Sequence, residues 1–232
     1  MKTIGMLGGM SWESSNIYYQ LINREAQRRL GGVHSARSVM HSFDFGEIAP
    51  LQQSGQWDEA NRRMLEAAKS VECAGADFVM MLCNTMHAAT PGIEAALGVP
   101  FLHIADPLGR AIRTADIRRV GLLGSGFTME QDGIIKGRLR DRYGLDVIVP
   151  TGADFDETSR VIYDELIRGQ FLDSSRAAYK AIIARLVERG AQGVILGCTE
   201  IPLLTKPEDA TVPLFDTTTL HAMAAVDMAL AS

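Results

Sequence analysis

The sequence lacks the features that mark several large classes of protein. Its 232 residues include three cysteines, and none of them stands in a Cys-X-X-Cys pair, so we expect neither a disulfide framework nor a metal site. The 23 basic residues are outnumbered by 28 acidic ones, which argues against nucleic acid as a partner. No apolar run approaches the roughly 20 residues that a membrane span needs. These absences predict a protein of a reducing cytoplasm, with no nucleic-acid or membrane partner.

What the sequence does contain is an internal repeat. "TIGMLGGMS", which starts at Thr3, resembles "RVGLLGSGF", which starts at Arg119, and two further pairs of segments recur in the same order. The separations are 116, 115 and 113 residues for the matched pairs Ile4 and Val120, Cys83 and Cys198, and Val99 and Val212. Such nearly constant separations indicate a duplicated unit of about 115 residues.

Each half of the sequence alternates between strand and helix patterns. Uninterrupted aliphatic runs at Ile4 to Leu7 and at Val120 to Leu123 are typical of parallel strands that are covered on both faces. Helical patterns follow them, and the following spans are expected to be helical: 13–30, 57–73, 106–114, 174–189 with Ser174 as the N-cap, and 217–231. We therefore predict an α/β fold of two pseudo-symmetric, Rossmann-like parallel-sheet domains that arose by internal duplication. The predicted first domain is 1–104 plus 212–232, and the second is 105–211.

Two of the cysteines occupy equivalent positions in the two halves. Cys83 follows "FVMML" and Cys198 follows "GVILG", so both stand where a buried strand ends. In an open parallel sheet, ligands bind beyond the carboxyl ends of the strands, where backbone N–H groups activate a thiol. Two such thiols suggest racemisation by two bases, in which one sulfur removes a proton from carbon and the other delivers a proton to the opposite face. The third cysteine, Cys73, lies within a helical pattern and is expected to be buried in the core.

The segments around these cysteines resemble a known family. "MLCNTMHAA" and "ILGCTEIPLL" resemble the two cysteine signatures of the aspartate/glutamate racemase superfamily, and "GMLGGMSWESS" resembles its aspartate racemase and bacterial amino-acid racemase branch. The resemblance covers essentially the whole chain. It implies an amino-acid racemase that needs no pyridoxal phosphate or other cofactor, acts on a small-molecule amino acid, forms a homodimer and has its active site between its two α/β domains.

The resemblance also implies roles for individual residues. Cys83 and Cys198 match the two acid/base thiols, and the residues that match substrate contacts are Met10, Gln52, Asn84, Thr85 and Thr199. Glu200 follows the second Cys-Thr pair, where it would orient the amino group or tune Cys198; a loop carboxylate that caps a turn explains its presence equally well.

Substrate choice depends on whether a cation is available for a second carboxylate. Members selective for acidic substrates resemble this chain in having a basic residue about 30 positions before the second cysteine, and Arg168 stands there. A further arginine expected near "FDFGEI" is missing, and Ile48 stands at about that position. We therefore expect aspartate or glutamate as the substrate, with a broader range of neutral amino acids as the next choice.

Several alternatives remain open at this point. Relatives that resemble this chain include hydantoin racemases, maleate isomerases and arylmalonate decarboxylases, some of which use one essential thiol. A non-catalytic amino-acid binding protein would keep the same cleft, and a redox pair of Cys83 and Cys198 is conceivable. His87, four residues after Cys83, would either share a helix face with the thiol or stand as an ordinary histidine in the first turn of a helix.

Overall fold

Residues 1–231, which the computed structural model describes, form two α/β units. The first contains Met1–Ile104 together with the chain from His221 onward, and the second is Ala105–Leu220. Each unit has one four-stranded parallel sheet with helices packed against it. The predicted fold class is confirmed. Among residues 1–231, no helix is long and apolar enough to span a membrane.

The sheet of the first unit has the strand order β2-β1-β3-β4. Its strands are β1 (Ile4–Gly8), β2 (Ser38–Ser42), β3 (Phe78–Met81) and β4 (Phe101–Leu102). Its helices are α1 (Trp12–Leu30), α2 (Phe45–Gln53), α3 (Trp57–Cys73) and α4 (Thr90–Ala96), with a 3-10 helix at Thr85–Ala89. The central strands β1 and β3 are buried along their whole length, as their uninterrupted apolar sequences predict.

The second unit repeats this arrangement with the order β6-β5-β7-β8. Its elements are α5 (Ala105–Thr114), β5 (Arg119–Leu123), α6 (Gly126–Glu130), α7 (Lys136–Tyr143), β6 (Asp146–Ile148), α8 (Ala153–Asp164), α9 (Asp173–Glu188), β7 (Val194–Leu196), α10 (Ile201–Leu204) and β8 (Leu214–Asp216), with 3-10 helices at Leu166–Arg168 and Pro207–Asp209. The last helix, α11 (Thr217–Leu230), begins in the second unit and continues in the first. The identical strand order is what a duplication predicts.

The side chains of β3 show how the first sheet is covered on both faces. Phe78 and Met80 pack in a cluster with Tyr18 of α1 and with α11, whereas Val79 and Met81 pack in another cluster, with α3. Successive strand residues point to opposite faces, so an apolar run of four residues supplies both clusters. Burying each such side chain contributes about 1.5–3 kcal/mol. The strand is therefore firmly held at the point where the chain leaves it for Cys83.

Three details differ from the sequence-based expectations. The predicted first domain resumed at residue 212, but Leu214 of β8 pairs with Val194 of β7, so residues 212–220 belong to the second unit. Helix α9 begins at Asp173 with Leu172 in the N-cap position, so the prediction of Ser174 as N-cap is wrong. Cys73 is exposed rather than in the core, because it is the last residue of α3 and lies beyond the face that packs on the sheet.

Candidate active site

Cys83 lies just past the carboxyl end of a central strand in the first unit. Leu82 still donates its backbone N–H to Leu7 of the neighbouring β1, at 2.9 Å, and the chain then turns into the 3-10 helix Thr85–Ala89. Cys83 is half-buried and packs against the core cluster that includes Met10 and Met86. The strand thus delivers a partly accessible thiol to the edge of the sheet where ligands bind in open α/β folds.

The loop after β1 lies at the same edge and carries Met10. Gly9 has φ of 87°, and a Cβ there would lie 2.2 Å from the carbonyl oxygen of Phe43, so a side chain at this position would clash with backbone. The Gly9 N–H donates to Ser15 Oγ at 2.8 Å, which ties the loop to the first turn of α1. Met10 follows directly and is buried in the cluster against which Cys83 packs.

Helix α2 brings two more residues to this region. The side-chain amide of Gln52 donates to Met86 Sδ at 3.0 Å, three residues past Cys83. Ile48, at the position where an arginine was expected, is fully buried in the same cluster as Met10. The position where an arginine was expected therefore holds an apolar side chain that is packed in the core.

Asn84 and Thr85 follow Cys83 in the turn. Asn84 is buried, and Thr85, the first residue of the 3-10 helix, is half-buried. The first unit thus gathers five of the predicted site residues at one edge of its sheet: Met10, Gln52, Cys83, Asn84 and Thr85.

His87 is fully buried and is hydrogen-bonded through both ring nitrogens. Nδ1 lies 2.8 Å from the carbonyl oxygen of Cys83, and Nε2 accepts the backbone N–H of Ile104 at 3.2 Å. Both of these hydrogen bonds are to backbone atoms, so this imidazole holds the backbone of the cysteine in place.

Cys198 has the corresponding position in the second unit. Gly197 donates its N–H to Leu123 of β5 at 2.7 Å, and Cys198 and the buried Thr199 come next. The Cys198 thiol donates to Glu200 Oε2 at 3.0 Å, and Glu200 is itself only 6% exposed. Glu200 therefore contacts the thiol directly, and its role in tuning Cys198 stays a prediction.

Two polar residues near this edge were not found from the sequence. Ser125 and Thr128 are buried where β5 ends, and their hydroxyl oxygens lie 3.1 Å apart. Ser125 caps α6 by accepting the Thr128 N–H at 3.3 Å. The internal repeat carries the signal that could have identified them, because it aligns Ser125 with the glycine loop after β1.

Tyr179 packs in the same core cluster as Cys198, yet it is unsuited to proton transfer. Its hydroxyl donates to the carbonyl of Thr158 at 2.7 Å and is buried. Burial, followed by the charge of Cys198, raises the pKa of the Tyr179 phenol far above its ordinary value. We therefore infer that Tyr179 has a structural role, as part of the core cluster against which Cys198 packs.

Arg168 is exposed at the end of the 3-10 helix Leu166–Arg168 in the second unit. Of the two preceding residues, Leu166 belongs to the buried cluster against which Cys198 packs, and Ile167 packs against the same cluster. Within residues 1–231, no carboxylate forms an ion pair with this guanidinium. The same residues contain no group of His, Cys, Asp and Glu side chains that could hold a metal ion.

Comparison with known proteins identifies the family. A sequence model of the Asp/Glu/Hydantoin racemase family matches residues 7–225. The chain belongs to this family. A curated member, the broad-specificity amino-acid racemase RacX of Bacillus subtilis (strain 168), is 22% identical over 98% of both chains.

Solved structures of racemase-family proteins show the same fold. A Yersinia pestis protein, provisionally assigned as an Asp/Glu racemase, is 46% identical, with full coverage of both chains and a TM-score of 0.94. An aspartate racemase homologue from Pyrococcus horikoshii OT3 is 31% identical over 99% of both chains, with a TM-score of 0.83. These racemase-family structures confirm the predicted resemblance.

Proposed function

We propose that this protein is an amino-acid racemase in which Cys83 and Cys198 serve as the two acid/base groups and no cofactor takes part. The observation that carries the proposal is the equivalence of the two thiols. Each one follows the third strand of its unit, at the carboxyl end, in sheets of identical strand order. Membership of the racemase family supports the same chemistry.

The reaction is a proton exchange at the α-carbon. One cysteine, as thiolate, removes the α-proton, and the C–H electron pair passes into a carbanion conjugated with the carboxylate. The other cysteine, as thiol, delivers its proton to the opposite face and becomes the thiolate. The next turnover from the product enantiomer uses the sulfurs in the reverse roles, so no net proton or electron is consumed.

Glu200 gives the two cysteines different roles at rest. A carboxylate that accepts the Cys198 S–H bond at 3.0 Å favours the protonated sulfur, so Cys198 is set up as the acid. Asn84, Thr85 and Thr199 would hold the α-carboxylate and amino group of the substrate. Met10, through its backbone, and Gln52 would complete the contacts in the first unit.

For the substrate, we propose aspartate or glutamate first and neutral amino acids second. Arg168 offers an unpaired cation for a side-chain carboxylate. The second cation expected in members selective for acidic substrates is absent, because the buried Ile48 stands at about its position. The similarity to a broad-specificity amino-acid racemase supports testing the neutral substrates in the same experiment. We also propose that the working form is a homodimer in the cytoplasm.

The test is proton NMR of the purified protein in D2O, without added cofactor. L-aspartate, L-glutamate and a panel of neutral amino acids should lose the α-proton signal as the D-enantiomer appears. Cys83→Ala and Cys198→Ala should each lower the racemisation rate by at least about 10³-fold, the scale of a lost acid/base group. Cys73→Ala is the matched control, because Cys73 is exposed and lies at a helix end.

Other results would lead to other functions. Racemisation at the wild-type rate by either catalytic-cysteine variant would refute the two-thiol mechanism. Turnover of maleate or of hydantoins without amino-acid racemisation would favour the related isomerases. Calorimetric binding of an amino acid with no exchange of its α-proton would favour a binding protein.

A further inference from the structure

Three buried histidines of the first unit lie close together near Cys83, and the proposed chemistry does not use them. His87, His103 and His221 are at most 1% exposed, and all three belong to the first unit. The ring centroids of His87 and His103 are 4.5 Å apart, and those of His87 and His221 are 5.9 Å apart. Buried histidines need defined hydrogen-bond partners, so their bonds show what they do.

The two bonds of His87 fix its protonation. A carbonyl oxygen can only accept, so Nδ1, which faces the Cys83 carbonyl, must carry the proton. A backbone N–H can only donate, so Nε2, which faces the Ile104 N–H, must be unprotonated. His87 is therefore a neutral imidazole with its proton on Nδ1. Adding a second proton would put an N–H group against the Ile104 N–H, so these two bonds favour the neutral ring.

His221 provides a contrast in the same cluster. Its Nε2 lies 2.9 Å from the carbonyl oxygen of Leu102, and its Nδ1 lies 3.1 Å from the Tyr18 hydroxyl. The same rule places its proton on Nε2 and makes Tyr18 the donor. His221 thus supports the end of β4, whereas His87 reaches Cys83 itself.

The bond to the Cys83 carbonyl acts on the geometry of the thiol. That carbonyl belongs to the peptide group between Cys83 and Asn84, so holding it fixes ψ of Cys83 and φ of Asn84. These angles set the directions of both side chains. Rings of His103 and Phe101, at centroid distances of 4.5 and 5.8 Å, confine the His87 ring that holds this peptide.

We propose that His87 is a positioning residue that aims the Cys83 thiol, and with it the Asn84 amide, at the substrate; this rests on the proposed role of Cys83. The second unit has no counterpart. The repeat aligns His87 with Pro202, and the Cys198 carbonyl accepts the backbone N–H of Ile201 at 3.2 Å instead. His87 is therefore specific to one of the two acid/base groups.

The test compares substitutions that keep or remove the bond to Cys83. His87→Asn places an amide N–H near the position of Nδ1, whereas His87→Gln carries its amide towards Ile104, and His87→Leu removes both bonds. His221→Leu is the matched control, because it removes an equally buried imidazole that is hydrogen-bonded to Tyr18 and to the Leu102 carbonyl. For each variant we would measure kcat and KM from both enantiomers, the primary isotope effect of α-deuterated substrate, and Tm.

We expect kcat of His87→Leu and His87→Gln to fall by about 10- to 100-fold, the scale of a misplaced reacting group, with KM changing less. His87→Asn should recover most of this loss. Because the equilibrium constant of racemisation is one, kcat/KM must fall equally in both directions. The isotope effect should nevertheless rise with one enantiomer alone, the one whose proton Cys83 removes. His221→Leu should lower Tm but keep kcat within about threefold.

Three results would overturn the proposal: kcat within threefold of wild type in both His87→Leu and His87→Gln, equal losses in His87→Asn and His87→Gln, or isotope effects that rise equally with both enantiomers. If His87→Leu does not fold, the comparison of the Asn and Gln variants decides the question. Failure of the proposed function would be seen separately, as wild-type racemisation by Cys83→Ala.

Discussion

Glu200→Gln should make the Cys198 thiol react faster with an alkylating reagent at neutral pH. The carboxylate of Glu200 lies 3.0 Å from the sulfur and accepts a hydrogen bond from the thiol. Glutamine has nearly the same shape, so the substitution removes a negative charge with little change in packing. Since alkylation proceeds through the thiolate, the rate reports how strongly the nearby charge opposes ionisation.

The size of the effect follows from Coulomb's law. Two unit charges about 4 Å apart interact with about 4 kcal/mol at an effective dielectric constant of about 20. Cys198 is half-exposed, so solvent and salt reduce this value. If about 1.4 kcal/mol survives, the thiolate fraction rises about tenfold, and the alkylation rate rises with it.

The assay is pulsed alkylation with iodoacetamide, with each cysteine quantified by peptide mass spectrometry. Cys83 and Cys73 are internal references, and neither rate should change. Glu208→Gln is the control for removal of a carboxylate in the same unit, since Glu208 is exposed and pairs with Arg176. An unchanged or slower rate at Cys198 in Glu200→Gln would refute the view that Glu200 holds this thiol protonated.

Two further predictions concern stability. In Gly197→Ala the new methyl group would lie 2.8 Å from the backbone oxygen of Leu123, so the strand end must shift. We expect urea denaturation to show a free energy of unfolding that is lower by about 1–3 kcal/mol. A decrease below about 0.5 kcal/mol would contradict this contact. Arg28 and Arg29 lower the pKa of Glu25 from 4.5 to about 2. The resulting stabilisation, below about 1 kcal/mol at this surface site, is present above pH 4.5 and is lost as the pH falls through 2. The stability difference between wild type and Glu25→Gln should therefore shrink between pH 5 and pH 2, and a constant difference would rule out this origin.

Features set by short stretches of sequence were predictable. The aliphatic runs that became β1, β3, β5 and β7 are buried on both faces, and such burial gives a short uninterrupted apolar run that can be recognised without a structure. The positions of Cys83 and Cys198 followed from the ends of these runs. The helix that ends at Cys73 was predicted with its observed bounds, although the exposure of that residue was not.

Features that depend on distant partners could not be predicted in the same way. His87 takes its partner Ile104 from the end of β4, 17 residues further along the chain, so its tautomer is invisible in the motif around Cys83. The second boundary between the units was misplaced for a similar reason. Only the pairing of β8 with β7 shows that residues 212–220 complete the second sheet.

The differences between the two halves bear on the mechanism as much as their similarity does. A two-base racemase needs one sulfur ionised while the other is protonated, and two identical environments would favour neither arrangement. The repeat aligns Glu200 with Thr85 and Pro202 with His87, so the carboxylate stands beside one thiol and the imidazole behind the other. Duplication supplies two equivalent strand ends, and under the proposed mechanism the differences two and four residues after each cysteine distinguish the acid from the base. If the proposed chemistry holds, exchanging these residues between the halves should impair catalysis even though every strand and both thiols remain in place.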